Sequence, residues 1–250
     1  MKEKLKQFVD TKQFHVCLVA IIVISILFVA GVVSLKYNVE GETNLPFKLS
    51  KISIISTVEG TDVENDINKW NLSVNQNNDV YLYIEKNDNY KNSEIIDSIN
   101  LDNFEIEKKP NIGKLRLLKP DSNLDSVIFK NMEENEVDSI EFLGSMQSSI
   151  KEMKISNQGG LVIFRYAISD IGNYISNDDE EINHSELLKK LNINNDDLKF
   201  IVSFDININL NSKKTYKATI SLDLPINDVV NEGTQNKEIT DLENIVFKRK

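Results

Sequence analysis

Two neighbouring stretches of strictly alternating apolar and polar residues are the strongest constraint on the fold of this 250-residue chain. Every even-numbered residue from 200 to 210 and from 216 to 226 is apolar, in FIVSFDININL and YKATISLDLPI. Because successive side chains of a β-strand point to opposite faces, each stretch is predicted to bury one face and to leave the other in water. Six buried apolar side chains per strand contribute at most about 9 to 18 kcal/mol, which is enough to fix the inward face.

The link between these stretches is also constrained. If the two strands pair directly, even-numbered residues must lie opposite even-numbered residues, because a one-residue slip would turn one apolar set outward. This requirement predicts a three-residue loop at 211–213, a five-residue loop or a bulge. Alternatively, the link crosses between two sheets that both face the core.

The chain after residue 46 contains further short apolar runs separated by turn-forming residues. The runs are 47–57, 80–86, 113–119, 126–130, 139–144, 161–169 and 244–250, and the predicted turns are 75–79, 86–92, 119–123 and 157–160. Residues 161–169 are apolar on both faces apart from Arg165, which is typical of a central strand. Residues 92–99 fit either a helix or a strand. The pattern predicts a mainly β domain, an antiparallel β-sandwich-like fold over residues 47–250, with a candidate subdomain seam near 110–120.

One short helix is predicted in INHSELLKKLNI, residues 182–193. Asn183 can cap its start, and Leu187, Leu188 and Leu191 would share one face. The acidic residues before it would favour the positive N-terminal end of the helix.

The segment FHVCLVAIIVISILFVAGVVSL, residues 14–35, contains no Asp, Glu, Lys or Arg. Its 22 residues would form about 33 Å of helix, enough to cross a hydrocarbon core of about 30 Å. The alternative is a cleaved signal peptide, but the apolar region of such a peptide normally has about 7 to 15 residues, and no A-x-A-like site follows here. The sequence therefore predicts a single uncleaved transmembrane helix in contact with the lipid bilayer.

The charges on either side of this segment predict its orientation. Four lysines precede it, at positions 2, 4, 6 and 12, whereas Lys36 is followed by Glu40 and Glu42. Because positive flanks stay in the cytoplasm, residues 1–13 are predicted to be a cytoplasmic tail, 36–46 a stem and 47–250 an extracytoplasmic domain. The expected location is the cell membrane, with one pass and the bulk of the chain outside.

Composition narrows the partners of the domain. Residues 36–250 contain 25 basic and 37 acidic residues, a net charge of −12, which disfavours nucleic acid and other anionic partners. Cys17 is the only cysteine and lies in the apolar segment, so the domain can have no intramolecular disulfide. Abundant Asn, Ile and Lys are typical of an AT-rich bacterial genome, and a Gram-positive cell surface is expected.

Residues that catalysis usually needs are scarce after residue 35. His184 is the only histidine there, so a Ser–His–Asp triad would have to use it, and a Cys–His pair is impossible. No pair of carboxylates stands out among the 37 acidic residues as the pair of a glycosidase. A non-enzymatic protein without a cofactor is therefore expected, with a glycan-active hydrolase as the weakest alternative.

The best candidate metal ligands form one acidic run. Asp178, Asp179, Glu180 and Glu181 could supply hard oxygen ligands to Ca²⁺. The alternating spacing and the glycine of an EF-hand loop are missing, and such a run is more often a solvated loop.

The best candidate ligand-binding residues are aromatic. Trp70, Tyr81, Tyr83 and Tyr90 could form a platform that stacks on sugar rings. The alternative is that Trp70 fills the core and that Tyr81 or Tyr83 alternates in a half-buried strand. The polar residues between positions 203 and 223 offer a second contact surface, although solvated strand faces have the same composition.

Four segments prompt a comparison with a known group: KYNVEGETNLPFKLSKISIISTVEG (36–60), NQNNDVYLYIEKN (75–87), FDININL (204–210) and IVFKRK (245–250). In these segments and in the order of its features, the chain resembles an uncharacterised group of single-span membrane proteins from clostridia-like, low-GC Gram-positive bacteria. The resemblance implies a location and an architecture, and it carries no activity.

Two functions fit these features. In the first, the helix anchors a non-enzymatic domain that recognises another envelope protein, as an interaction or scaffold protein. In the second, the domain is a carbohydrate-binding module for cell-wall glycans that uses Trp70 and the neighbouring tyrosines.

Overall fold

The computed structural model describes residues 12–63, 69–91, 93–121, 128–129, 135–146, 153–177 and 180–250. The chain forms two compact units, one that ends at Thr43 and one that begins at Asn44. Helix α1, Lys12–Glu40, belongs to the first unit. Its 27-residue part Phe14–Glu40 is long and apolar enough to cross a membrane, and its most apolar stretch is not buried against protein. The helix is longer than the predicted 22-residue span because it continues through the polar residues 36–40.

The second unit is a two-layer β-sandwich. Its strands are β1 (Phe47–Asp62), β2 (Asn71–Lys86), β3 (Ile96–Lys108), β4 (Lys114–Leu118), β5 (Ile140–Gly144), β6 (Lys154–Ile155), β7 (Gly159–Ile175), β8 (Phe200–Leu210), β9 (Thr215–Leu224), β10 (Gln235–Ile239) and β11 (Lys248–Arg249). Its helical segments are the 3₁₀ turn His184–Glu186 and the helices α2 (Leu187–Lys190), α3 (Asn195–Leu198) and α4 (Val229–Glu232).

The strands of the described residues form two sheets. Sheet A has the order β10-β1-β2-β7-β4, and sheet B has the order β11-β9-β8-β3-β5-β6. Neighbouring strands are antiparallel except β5 and β6. The predicted mainly β, antiparallel sandwich-like fold behind an N-terminal apolar helix is thus confirmed. Residues 110–120 lie within the second unit and lead from β3 of sheet B to β4 of sheet A.

The hairpin β8–β9 has the predicted register. Phe200 lies opposite Leu224, so even-numbered residues face even-numbered residues along the whole pair. The N–H groups of Leu210 and Lys213 donate to the carbonyls of Lys214 and Leu210, both at 2.9 Å. These bonds leave the three-residue loop 211–213, in which Lys213 has a φ of +65°, the left-handed residue that three-residue hairpin loops need.

Two other local predictions can be compared with the structure. Residues 75–79 are not a turn, because β2 runs through them without interruption. Residues 96–99 belong to β3, which settles the choice between helix and strand there. The predicted strand at 126–130 lies mostly outside the described residues, and residues 128–129 are not in a strand.

The predicted short helix is present and is capped as expected. The Asn183 side chain accepts a hydrogen bond from the Ser185 N–H at 3.2 Å, and Leu187 and Leu188 are fully buried. The four-residue helices α3 and α4 were not indicated by the sequence.

The core lies between the two sheets. From sheet A it receives Phe164, and from sheet B it receives Phe204 and Phe104. The Phe164 and Phe204 rings meet edge to face at 5.2 Å, and Phe104 stacks on Phe204 at 5.3 Å. Arg165 on β7 faces outward between these buried positions, as expected of a central strand with one charged residue.

Candidate functional site

The middle of sheet A carries apolar and aromatic side chains on its outward face as well as on its core face. Tyr81 lies opposite Ile163 of β7, Tyr83 lies opposite Leu161, and Ile55 of β1 lies in the neighbouring row. All five side chains are half-buried, whereas residues that alternate with them along the strands, such as Val80, Leu82 and Val162, are fully buried. We call Ile55, Tyr81, Tyr83, Leu161 and Ile163 the tyrosine face.

Both hydroxyl groups of the tyrosine face are available to a partner. Neither the Tyr81 nor the Tyr83 hydroxyl is hydrogen bonded within the part of the chain that the structure describes. Partial burial, reinforced by the nearby Asp79 carboxylate, raises the pKa of Tyr81, so its hydroxyl remains a donor. A half-buried tyrosine offers apolar area and one hydrogen bond together, which is why tyrosine is enriched at protein interfaces.

Charged pairs border the tyrosine face on two sides. Arg165 binds Asp79 through both ends of its guanidinium, with Nη2 2.9 Å from Oδ2, and the guanidinium lies 4.4 Å from the centroid of the Phe129 ring. On the other side, Lys51 Nζ lies 2.6 Å from Glu238 Oε1 and 4.4 Å from the centroid of the nearer tyrosine ring. An apolar centre inside a polar rim is the usual anatomy of a protein-binding surface.

The outward face of sheet B has the opposite character. Asn207 Nδ2 donates to Asp102 Oδ1 at 3.1 Å, and Asn209 Nδ2 donates to Ser98 Oγ at 3.0 Å. Burial would raise the pKa of Asp205, but hydrogen bonds from three neighbours outweigh it and lower that pKa. We call Ser98, Asn100, Asp102, Asp205, Asn207 and Asn209 the amide face.

The amide face is the weaker candidate for a binding site. Asp205 and Asn207 are each only 6% exposed, and their polar atoms are bonded to neighbouring strands. A ligand would have to replace these bonds, at a cost comparable to that of breaking them. The hydrogen-bonding groups at the centre of the polar surface predicted from residues 203–223 are therefore already bonded within the protein.

Three polar side chains of sheet A lie inside the core. Ser56, Gln76 and Asn78, the inner polar cluster, are fully buried. Ser56 Oγ donates to Asn78 Oδ1 at 2.6 Å, Asn78 Nδ2 donates to Gln76 Oε1 at 2.8 Å, and the Ile226 N–H donates to Ser56 Oγ at 3.2 Å. The cluster thus links sheet A to the chain that leaves sheet B. This mutual bonding also explains why a turn-like sequence can form a strand here.

Trp70 and Tyr90 lie away from the tyrosine face. Trp70 precedes β2 and is 48% exposed, so the alternative in which it fills the core is wrong. Tyr81 follows it by eleven positions, about 35 Å at about 3.3 Å per residue. Tyr90 lies in the β2–β3 connection and interacts with Lys214. The structure therefore brings Tyr81 and Tyr83 together and does not place all four aromatic residues on one platform, although both tyrosines do alternate in a half-buried strand.

The acidic run is held to the protein by Glu180. Its carboxylate receives Lys190 Nζ, the Asn177 N–H at 2.9 Å and the Tyr174 hydroxyl at 2.8 Å. These bonds, led by that of Lys190, lower the pKa of Glu180 to about 2. Asp178 and Asp179 lie outside the described residues, and Glu181 is exposed. Within the described ranges no three His, Cys, Asp or Glu side chains are grouped to hold a metal, and the Ca²⁺ site stays a prediction.

His184 has a structural partner. Its Nδ1 accepts a hydrogen bond from the Gly60 N–H of β1 at 2.9 Å. In a Ser–His–Asp triad this nitrogen would instead donate to a carboxylate. This hydrogen bond satisfies the Gly60 N–H on the edge of β1 that faces away from β2. It joins that edge to the chain segment that leads into α2.

Leu161, Ile163 and Ile55 were not singled out from the sequence as binding residues. The available signal was the run 161–169, which is apolar on both faces and therefore has more apolar surface than one core can cover. Comparisons with protein-family models, with curated proteins and with solved structures found no match to the chain.

Proposed function

We propose that this protein is a membrane-anchored, extracytoplasmic interaction protein that binds another envelope protein through the tyrosine face. The observation that carries the proposal is the group of five half-buried apolar and aromatic side chains with two unpaired hydroxyls on the outward side of sheet A. Contiguous apolar patches rimmed by polar residues often mark protein-binding sites. The polar amide face on the other sheet provides no comparable surface.

The proposed anchor is α1, with the N-terminus in the cytoplasm and residues 36–250 outside a Gram-positive cell membrane. Its length and composition support a membrane span, and the lysines that precede it support the orientation.

Labelling of intact cells tests the proposed location. An Asn89→Cys variant in a Cys17→Ala background should react with a maleimide that cannot cross membranes, because Asn89 is exposed. A tag placed before Met1 should remain on the membrane-bound protein and should be protected from added protease. Loss of the tag from the mature chain would instead indicate a cleaved signal sequence.

Site-specific photo-crosslinking tests the proposed binding face. A photoreactive phenylalanine analogue at Tyr83 of the full-length protein should give a discrete crosslink to one membrane-associated protein in living cells. The matched control places the analogue at Ser203, which is also half-buried and outward-facing but lies on sheet B. Equal products from the two positions, or none from Tyr83, would contradict the proposal.

A charge substitution supplies a second test. Ile163→Asp puts a carboxylate in the centre of the tyrosine face and should abolish the crosslink from Tyr83, whereas Ser203→Asp should leave it unchanged. Far-ultraviolet circular dichroism should show that both variants keep the β-sandwich. An Ile163→Asp variant that is folded and still crosslinks would rule out this face.

Trp70 supports a second candidate function, binding of cell-wall glycan. Its indole is nearly half exposed, and an exposed indole can stack on a sugar ring. Retention of the protein on purified peptidoglycan, lost in Trp70→Ala and kept in Tyr83→Ala, would favour this function. The reverse pattern would favour the tyrosine face.

A further inference from the structure

Strand β9 leaves most of its outer edge open. Beyond Lys217, which pairs with Lys248, no strand lies beside β9 on the side opposite β8 within the described part of the chain. The Leu210–Lys214 bond at the hairpin fixes which residues bond to β8, and these are the even-numbered ones. The odd-numbered residues therefore point their N–H and C=O groups outward, as the bond from the Lys250 N–H to the Thr215 carbonyl shows.

Three residues carry the open groups of this edge. Thr219, Ser221 and Asp223 are exposed, and their backbone N–H and C=O groups have no hydrogen-bond partner among the residues that the structure describes. Native proteins usually protect such an edge with a lysine, a proline or a bulge. Residues 218–224 contain no lysine or proline, and the β8–β9 register has no bulge. Three free donors and three free acceptors therefore form a regular row.

The two ends of this edge carry opposite charges. Lys217, Lys248, Arg249 and Lys250 surround a shallow open pocket, which is also lined by Thr219 and by Asn244 and Val246 of the segment that precedes β11. At the other end, Asp223 has an exposed side chain. In a domain with a net charge of −12, this basic group is a local exception, and it lies where an added strand would end.

We propose that the β9 edge binds the β9 edge of a second copy of this chain, as an antiparallel pair with Ser221 on the two-fold axis. Thr219 of each copy then lies opposite Asp223 of the other, and three pairs of residues exchange six backbone hydrogen bonds. The same register places each Asp223 diagonally across from Lys217 of the other copy, beside the basic pocket. An antiparallel pair is the arrangement that matches both the row of free groups and the opposite charges.

Disulfide trapping in the full-length protein tests this pairing. Ser221→Cys in a Cys17→Ala background puts two thiols opposite each other with Cα atoms about 5.5 Å apart, within the range that a disulfide spans. Mild oxidation of native membranes should convert most of the protein to a covalent dimer on a non-reducing gel. Absence of that dimer would overturn the proposal.

Ser203→Cys in the same background is the matched control. Ser203 lies directly opposite Ser221, one strand further from the edge. In the proposed dimer its two copies would be about 15 Å apart, from one pair spacing plus two strand spacings of about 4.8 Å. As much dimer from Ser203→Cys as from Ser221→Cys would show random collision and overturn the proposal.

Two further variants test the register and the charges. Thr219→Cys and Asp223→Cys proteins, produced together with distinguishable tags, should form the mixed disulfide in at least fivefold excess over either homodimer. Asp223→Lys should reduce trapping through Ser221→Cys at least fivefold, because it places like charges beside Lys217. Ile163→Asp should leave trapping unchanged, which separates this contact from the tyrosine face. Trapping that is insensitive to Asp223→Lys would contradict the charge pairing.

Discussion

The two sheets of the sandwich distribute polar and apolar residues in opposite ways. Sheet B is apolar on its inner face and polar on its outer face, as in a half-solvated antiparallel sheet. Sheet A buries Ser56, Gln76 and Asn78 inside and displays Tyr81 and Tyr83 outside. Ser56, Gln76 and Asn78 are hydrogen bonded to one another in the core, while the outer face of sheet A keeps apolar surface and free hydroxyls. The centre of sheet B therefore contributes to stability alone. Sheet A contributes to stability and also presents a surface that can bind a partner.

The largest effect should come from the core side of sheet B. Phe204→Ala removes a fully buried ring that contacts two other aromatic rings, and we expect the free energy of unfolding to fall by about 3 to 5 kcal/mol. Ser203→Ala, on the other face of the same strand, should change it by less than about 0.5 kcal/mol. Urea unfolding of the detergent-solubilised protein, followed by Trp70 fluorescence, measures both. Similar losses for the two variants would contradict the assigned faces.

The inner polar cluster should be the next most sensitive region. Asn78→Ala leaves the buried Ser56 hydroxyl without its acceptor and the buried Gln76 Oε1 without its donor, which we expect to cost about 2 to 3 kcal/mol. Asn207→Ala on the amide face removes one hydrogen bond to Asp102, whose carboxylate is half-buried and can be solvated by water instead, and should cost about 1 kcal/mol or less. Urea unfolding followed by Trp70 fluorescence compares the two variants. A larger loss of unfolding free energy for Asn207→Ala than for Asn78→Ala would contradict the difference described between the two sheets.

The outward ion pairs should differ by a smaller amount. Arg165→Ala removes a bidentate partner of Asp79, and both side chains are about 15% exposed, so we expect a loss of about 1 to 3 kcal/mol. Lys217 Nζ lies 2.6 Å from Asp205 Oδ2. Lys217→Ala should cost about 1 kcal/mol or less, because Asp205 keeps its bonds from Thr219 and Asn103. High salt should reduce the loss of stability in Lys217→Ala more than that in Arg165→Ala, because the less exposed Arg165 pair is screened less. Equal losses would indicate that the Arg165 pair is effectively solvated.

The smallest effect should be a pH dependence at the end of sheet A. The pKa of Glu180 falls from its ordinary value of 4.5 to about 2, chiefly through its bond with Lys190. A lowered carboxylate pKa stabilises the fold above its unfolded value, and that contribution is lost as pH falls from about 4.5 towards 2. Glu180→Gln should therefore flatten the stability profile in this window and leave it unchanged in shape above pH 6. An identical acid profile for both proteins would contradict the assignment.

The sequence predicted sheet B better than sheet A, for a physical reason. Strict alternation in β8 and β9 specifies the faces, the register and the loop, because only one face can enter the core. In β2 the same rule fails, since Gln76 and Asn78 are turn-forming residues that become buried by bonding to each other and to Ser56. That network depends on the pairing of β1 with β2, which residue types alone do not specify.

The candidate site could be predicted only in part. Tyr81 and Tyr83 were candidates because aromatic residues are common at binding surfaces. Leu161 and Ile163 join them only through the pairing of β2 with β7, which brings together positions about eighty residues apart in the chain. Trp70 could not be placed from sequence, because it lies just before β2 and outside the alternation that assigns faces.

The pairing of β1 with β10 delays the completion of sheet A during synthesis of the chain. Ile52 lies opposite Ile239, so one edge of β1 stays unpaired until β10, near the other end of the chain, has been synthesised. At a synthesis rate of roughly 5 to 20 residues per second, this edge is unpaired for roughly 10 to 40 s. During this interval the growing chain would offer an unfinished, apolar-backed sheet to its surroundings, and its yield should depend on chaperones that cover such intermediates.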